Sequence, residues 1–289
     1  MKPVFKYIFI YPLMIVILLS CNNNTKTVTE KNVINQLEDE IALDSMLIKK
    51  GVQEKLDFAI ENLQLSDNMI KLLSFQNELY DESFLNSIEN VKSYETSKAR
   101  AINLGIYGAE LNYILHFNQS QSSFRYLIVS KQLADMLGVA MAFDQKILED
   151  YQSKNNEKDS LIYIVNSAYD NIRNHLRNGE QFQMATLVIA GSWIENMYIA
   201  TRLIPKFSFQ SRKPEIIDKL YQQKKYLDNI IELLIILNEE QNAYVTDITK
   251  QLATINKVCV LLEKETITNE DITTIYNSIK KVRDIIITD

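Results

Sequence analysis

The chain has 289 residues, of which only six are Gly and four are Pro. Sandwiches, barrels and propellers need many more of both at their bends and are excluded; a hydrophobic content of 46% with a net charge of −6 excludes a disordered chain. The expectation is an all-α protein, a multi-helix bundle or α–α array of about 9–11 helices.

The first segment reads as an address. Lys2 and Lys6 open it, Tyr7 to Leu19 is apolar, and Leu18-Leu19-Ser20-Cys21 closes it. The apolar run suits a signal peptide and is short for a bilayer-spanning helix. The closing tetrapeptide resembles the lipobox of bacterial lipoproteins. The resemblance implies cleavage between Ser20 and Cys21 and a covalent lipid on the Cys21 sulfur. Several acyl chains there would anchor the chain stably, whereas a single one binds only marginally. The implied division is a signal peptide over 1–20, a polar tether over 21–30, and one helical domain over 31–289. An internal sub-boundary is possible at 205–214. Removal of residues 1–20 takes away Lys2 and Lys6 and no acid, so the net charge moves from −6 to −8. No polybasic run is present, which argues against nucleic acid as a partner. With Cys21 lipidated, Cys259 is left without a partner for an internal disulfide.

The remaining elements follow from apolar spacing. A first amphipathic helix is expected over 31–50, ending at Gly51, with shorter pieces over 52–90 and a cap at Ser66-Asp67. Helices follow at about 96–117 and 121–137, the latter stopped by Gly138. Another is expected at 139–151, and one starts at Asp159 or Ser160 and runs to about 177. Gly179 separates that helix from a long one ending near Ile204. Pro205 to Pro214 is the clearest break. Three helices come after it, at about 214–239, 241–264 and 269–286. Their stripes step by three and four: Leu220, Leu227, Ile230, Leu234 and Leu237; Val245, Ile248, Leu252, Ile255, Cys259 and Leu262; Ile272, Ile275, Ile279, Val282 and Ile286. Such stripes predict an antiparallel three-helix C-terminal portion. Cys259 lies on its stripe and reads as a small core residue.

Two helices, over 101–115 and 184–200, are apolar nearly all round, which predicts burial. Each carries one acid, Glu110 and Glu195. A buried carboxylate must be paired, protonated or metal-bound. One reading gives each a structural partner: an arginine such as Arg100, Arg125 or Arg202, or tyrosine hydroxyls. The other reading places both in a polar pocket for a small ligand or cation, with Tyr107, Tyr113, Trp193 and Tyr198 around it. General acid/base chemistry by the pair is a third possibility. Gly105, Gly108 and Gly191 also sit inside these helices, where each costs roughly 1 kcal/mol against Ala. Close helix–helix approach explains them best, and a ligand approaching there is the lesser reading.

The stretches Asn103-Leu-Gly-Ile-Tyr-Gly-Ala-Glu-Leu-Asn-Tyr113, Phe117-Asn-Gln119 and Ala190-Gly-Ser-Trp-Ile-Glu-Asn-Met-Tyr-Ile-Ala200 resemble a family of uncharacterised helical lipoproteins of Bacteroidetes-type bacteria. The resemblance spans about residues 45–260 and implies an all-helical envelope protein and no activity; with the lipid anchor, the outer membrane is the expected location. Asp44-Ser45-Met46 and Asp159-Ser160-Leu161 also resemble the O-glycosylation motif of such bacteria, at Ser45 and Ser160. His116 and His175 lie in no Glu-x-x-His or His-Glu-x-x-His pattern, so di-iron bundles and zincin proteases lack their ligands. No nucleophile elbow, Walker loop or dinucleotide fingerprint is present. The 15 tyrosines suit sugar or protein contacts but are scattered as in ordinary packing. The sequence therefore points to a lipid-anchored interaction or scaffold protein with unknown protein partners. No cofactor, metal ligand or catalytic residue is read from the sequence, and an enzyme, which needs a convergent set of polar residues in a cleft, is the third reading. The alternative is a ligand- or cation-binding lipoprotein with its pocket near Glu110 and Glu195.

Overall fold

Long apolar-faced helices dominate the computed structural model. It describes residues 47–61, 69–71, 73, 80–139, nine positions between 163 and 175, 181–206, 214–260 and 267–288. The chain divides into two compact units, Met1–Lys49 and Lys50–Asp289. In the first, only 47–49 are described, and they are helical and exposed. Lipidation at Cys21, glycosylation at Ser45 and Ser160, the helix over 139–151 and the cap at Ser66-Asp67 all lie outside the described residues.

The second unit is an all-α multi-helix bundle, and the described residues contain no strand. Its labelled helices are α1 (Ser97–His116), α2 (Ser120–Met136), α3 (Phe182–Leu203), α4 (Pro214–Leu237), α5 (Ala243–Val260) and α6 (Asn269–Thr288). A further helical stretch precedes them, and it corrects one expectation. Residues 47–61 are helical throughout, so no helix ends at Gly51. Gly51 sits in open space, where a missing side chain costs little packing. Gly138 does stop its helix, with φ of 79°, a left-handed backbone that glycine adopts freely.

Helix starts follow local chemistry. The Thr96 hydroxyl accepts the Ala99 N–H at 3.0 Å and opens α1. At α6 the capping is reciprocal: Thr268 Oγ1 accepts the Asp271 N–H at 3.2 Å, and Asp271 Oδ2 accepts the Thr268 N–H at 2.8 Å. Between α4 and α5 a tight turn is built from asparagines. Asn238 Oδ1 accepts the Asn242 N–H, Asn242 Oδ1 accepts the Val245 N–H, and Gln241 takes φ of 50°.

The C-terminal three helices pack antiparallel along their stripes, α4 on α5 and α5 on α6. Ile272, Ile275, Ile279, Val282 and Ile286 are all buried. Each such side chain contributes about 1.5–3 kcal/mol when removed from water. The exposed Lys280–Asp284 pair on the same helix is of a kind that contributes about 0–1 kcal/mol. The apolar seam therefore dominates the energetics of this portion. The polar gap in the α4 stripe, Gln223, is buried too; its Oε1 accepts the Trp193 indole N–H at 3.1 Å.

The α1 and α3 helices form the centre of the unit. Nearly every residue from Ala101 to Leu111 and from Ala185 to Thr201 is buried. Two glycines let these backbones touch. A Cβ on Gly105 would lie 2.0 Å from the Val188 carbonyl oxygen, and one on Gly191 would lie 1.9 Å from the Ile102 carbonyl oxygen. Close approach is thus their role. Gly108 is buried on the same helix.

Candidate functional site

The segment before α1 is a strap with two 3-10 turns, Glu82–Phe84 and Ile88–Lys92. Its own backbone bonds run from Phe84 N–H to the Asp81 carbonyl, Leu85 to Glu82, Asn90 to Ser87 and Ser93 to Asn90, and Phe84, Asn86, Val91 and Tyr94 are buried. Tyrosines of the bundle hold it down as well. The Tyr107 hydroxyl donates to the Ser87 carbonyl and the Tyr126 hydroxyl to the Asn86 carbonyl, each at 2.7 Å. Tyr113 Oη accepts the Asp81 N–H at 2.9 Å. The Asn86 side chain donates to the Tyr94 hydroxyl at 2.9 Å.

Beneath the strap lie Glu110 from α1, Glu195 from α3 and Arg283 from α6. Both acids are 0% exposed and Arg283 is 4% exposed. Arg283 grips Glu195 as a fork, with Nε to Oε2 at 2.5 Å and Nη2 to Oε1 at 3.0 Å. The same Nη2 donates to Glu110 Oε1 at 3.2 Å and to the Phe84 carbonyl at 2.9 Å. Asn86 donates its backbone N–H to Glu110 Oε1 as well. The Tyr198 ring lies 4.2 Å from the Arg283 guanidinium.

The charges do not cancel if all three groups ionise. Two carboxylates face one guanidinium in a site closed to water. Burial, and then the neighbouring Glu195 charge, push the Glu110 carboxyl well above its usual range. Among the described residues no N–H or O–H donor reaches Glu110 Oε2. Burial and the adjacent carboxylate thus favour the neutral form of Glu110, and Arg283 balances the charge of Glu195. Burial alone would lower the Arg283 pKa, but Glu195 and Glu110 together hold it above its ordinary value.

This arrangement corrects the expected partners. Arg100 donates instead to the Tyr94 carbonyl, Arg125 pairs with Glu82, and Arg202 lies over the Phe84 ring and donates to the Tyr198 hydroxyl. Neither Tyr107 nor Tyr113 bonds a glutamate; both hold the strap. Trp193 is turned toward Gln223 of α4, and Tyr198 flanks Arg283. Arg283, Asn86 and Tyr126 were not singled out from sequence. Arg283 did carry a signal: it lies four residues after Ile279 and three before Ile286, beside the apolar stripe.

Burial pushes the Cys259 thiol up to about 11, so it is a core thiol and not a ready nucleophile. Among the described residues no group of three His, Cys, Asp or Glu is placed to hold a metal ion, and no helix is long and apolar enough to cross a membrane. No protein family, curated protein or solved structure matches the chain.

Proposed function

We propose that the chain is a lipid-anchored, all-helical protein of the bacterial cell envelope, held at the outer membrane through Cys21, and that it acts as an interaction scaffold. The anchor rests on the sequence Leu18-Leu19-Ser20-Cys21 behind a basic and then apolar start. The scaffold reading rests on one observation. The most unusual polar groups of the protein, Glu110 and Glu195, are closed from solvent and committed to Arg283. Polar groups spent in this way organise a fold; they do not offer themselves to a substrate. The rival reading, a small-ligand or cation pocket, must first displace Arg283, a built-in cation that already occupies the place between the two acids.

Metabolic labelling with palmitate tests the anchor. Wild-type chain expressed in a Gram-negative envelope should incorporate label and fractionate with membranes, and Cys21→Ala should do neither. Unchanged labelling of Cys21→Ala overturns the anchor. Isothermal titration with monovalent and divalent cations tests the rival. Saturable binding that Arg283→Lys alters would favour the pocket over the scaffold.

A further inference from the structure

One end of the second unit gathers most of its helix termini. The chain enters that unit at Lys50. Farther along, Lys55 pairs with Glu232 of α4, its carbonyl accepts from Asn229, and Lys225 lies over the Phe58 ring at 5.4 Å. Numbers that rise along one helix fall along the other, so the two are antiparallel and Lys50 stands beside the end of α4. The start of α3 is at the same end, where Gln183 donates to the Leu237 carbonyl, and α5 starts there across the asparagine turn. Lys98 meets Glu240 and brings in the start of α1. Asn103 of α1 donates to the Ile286 carbonyl, and Tyr107 of α1 rests against Tyr126 of α2, so α6 and α2 both finish at this end.

Apolar exposure concentrates at this end. Among the exposed large apolar side chains of α1–α6, Met136, Ile235, Ile236 and Ile285 lie here, and Ile235 is 63% exposed. Ile128 lies midway along α2, while Tyr221 and Val260 lie toward the opposite end. The four come from the ends of three different helices, which suits a flat, yielding surface better than one extended peptide. The charges around them have both signs: Lys50, Glu239 and Glu240 are exposed and Lys98 is half-buried. An end of mixed sign fits a zwitterionic headgroup, where a wholly basic one would fit an anionic lipid.

We propose that this end of the bundle docks on a zwitterionic phospholipid surface. Met136, Ile235, Ile236 and Ile285 enter the headgroup layer, Lys50 meets the lipid phosphate, and Glu239 and Glu240 meet the ammonium. The inference rests on the lipid anchor proposed above. Cys21 lies upstream of Lys50, so the end that the chain enters is the one nearest along the chain to the lipid. Four side chains bind a bilayer weakly by themselves, because binding scales with the apolar area buried. A lipid on the same chain makes the contact intramolecular, and a weak intrinsic affinity is then sufficient.

A fluorophore that brightens in apolar surroundings tests the contact. It is attached at Ile235→Cys, Met136→Cys or Tyr221→Cys of the lipidated full chain, in vesicles of phosphatidylethanolamine and phosphatidylcholine. Cys259 is buried, so brief labelling spares it. Emission from positions 235 and 136 should rise about twofold or more on vesicles and be quenched by brominated acyl chains, as insertion about 5–10 Å deep requires. Position 221, toward the other end, should do neither. Flotation with the vesicles is read on the same samples. A chain that does not float refutes the anchor, and the docking with it. A chain that floats while positions 235 and 136 respond no more than position 221 leaves the anchor standing and overturns the docking. A response at position 235 that needs added envelope proteins assigns this end to a protein partner and also overturns the docking.

Discussion

The α1–α3 centre and the α4–α6 portion are built on different principles. In α4–α6 the apolar residues repeat every three or four positions, and burial is shared among many similar side chains. Removing one methylene there leaves the rest of the seam in place. In the centre, apolar residues surround the helices, so periodicity specifies no unique rotation. Register is set instead by two points, the glycine contacts and the Glu110–Glu195–Arg283 cluster. Uniform apolar packing confers stability, while a few directional groups fix which arrangement is adopted.

The largest effect should come from Arg283→Met. It leaves an uncompensated buried charge and should cost about 3–5 kcal/mol at neutral pH, read by urea unfolding. A cost below that of an ordinary seam substitution would break the distinction between the two regions. Gly191→Ala comes next. Its Cβ would overlap the Ile102 carbonyl, so the backbones must separate, at about 3 kcal/mol. Both melting temperature and near-UV dichroism of Trp193, two residues away, should report it. Ile279→Val, in the seam, should cost about 1 kcal/mol with unchanged spectra; a cost rivalling Gly191→Ala would mean that the seam is as sharply specified as the centre.

The smallest effect in acid is that of Glu110→Gln, and it carries the pH dependence. The Glu110 carboxyl is raised above its usual value of 4.5 in the folded chain. The folded state then binds the proton more tightly than the unfolded state. The stabilisation from Glu110 is complete below about 4.5 and is lost as pH rises through the folded value, at up to about 1.4 kcal/mol per unit. Glu110→Gln should remove this slope from the stability profile, within about 1 kcal/mol of wild type in acid. An unchanged slope would place the titrating group elsewhere.

Much of the fold was legible in local pattern. The edges of α1 and α2, the Gly138 stop and the three C-terminal stripes follow from spacing and capping, which act over a few residues. Spacing alone ends a helix at Gly51, but a half-buried glycine whose Cβ would meet open space is only mildly unfavourable in a helix, and the flanking helix formers prevail. At the candidate site the two acids stood out, because Glu in an apolar helix is costly. Their partner did not. Arg100, Arg125 and Arg202 are close to the acids in sequence, yet each is drawn to a nearer carbonyl, acid or aromatic ring.

Sequence alone determined the helical class, the seam of α4–α6, the burial of α1 and α3, and the need of Glu110 and Glu195 for compensation. Each follows from composition or from contacts within about one helical turn. Only the tertiary structure decided that Arg283 compensates both acids, 173 and 88 residues away in the chain. It alone also decided that the glycines mark a backbone crossing and that a strap closes the site. Those outcomes depend on which helices meet and at what depth, and no local preference encodes that when a helix is apolar on every face.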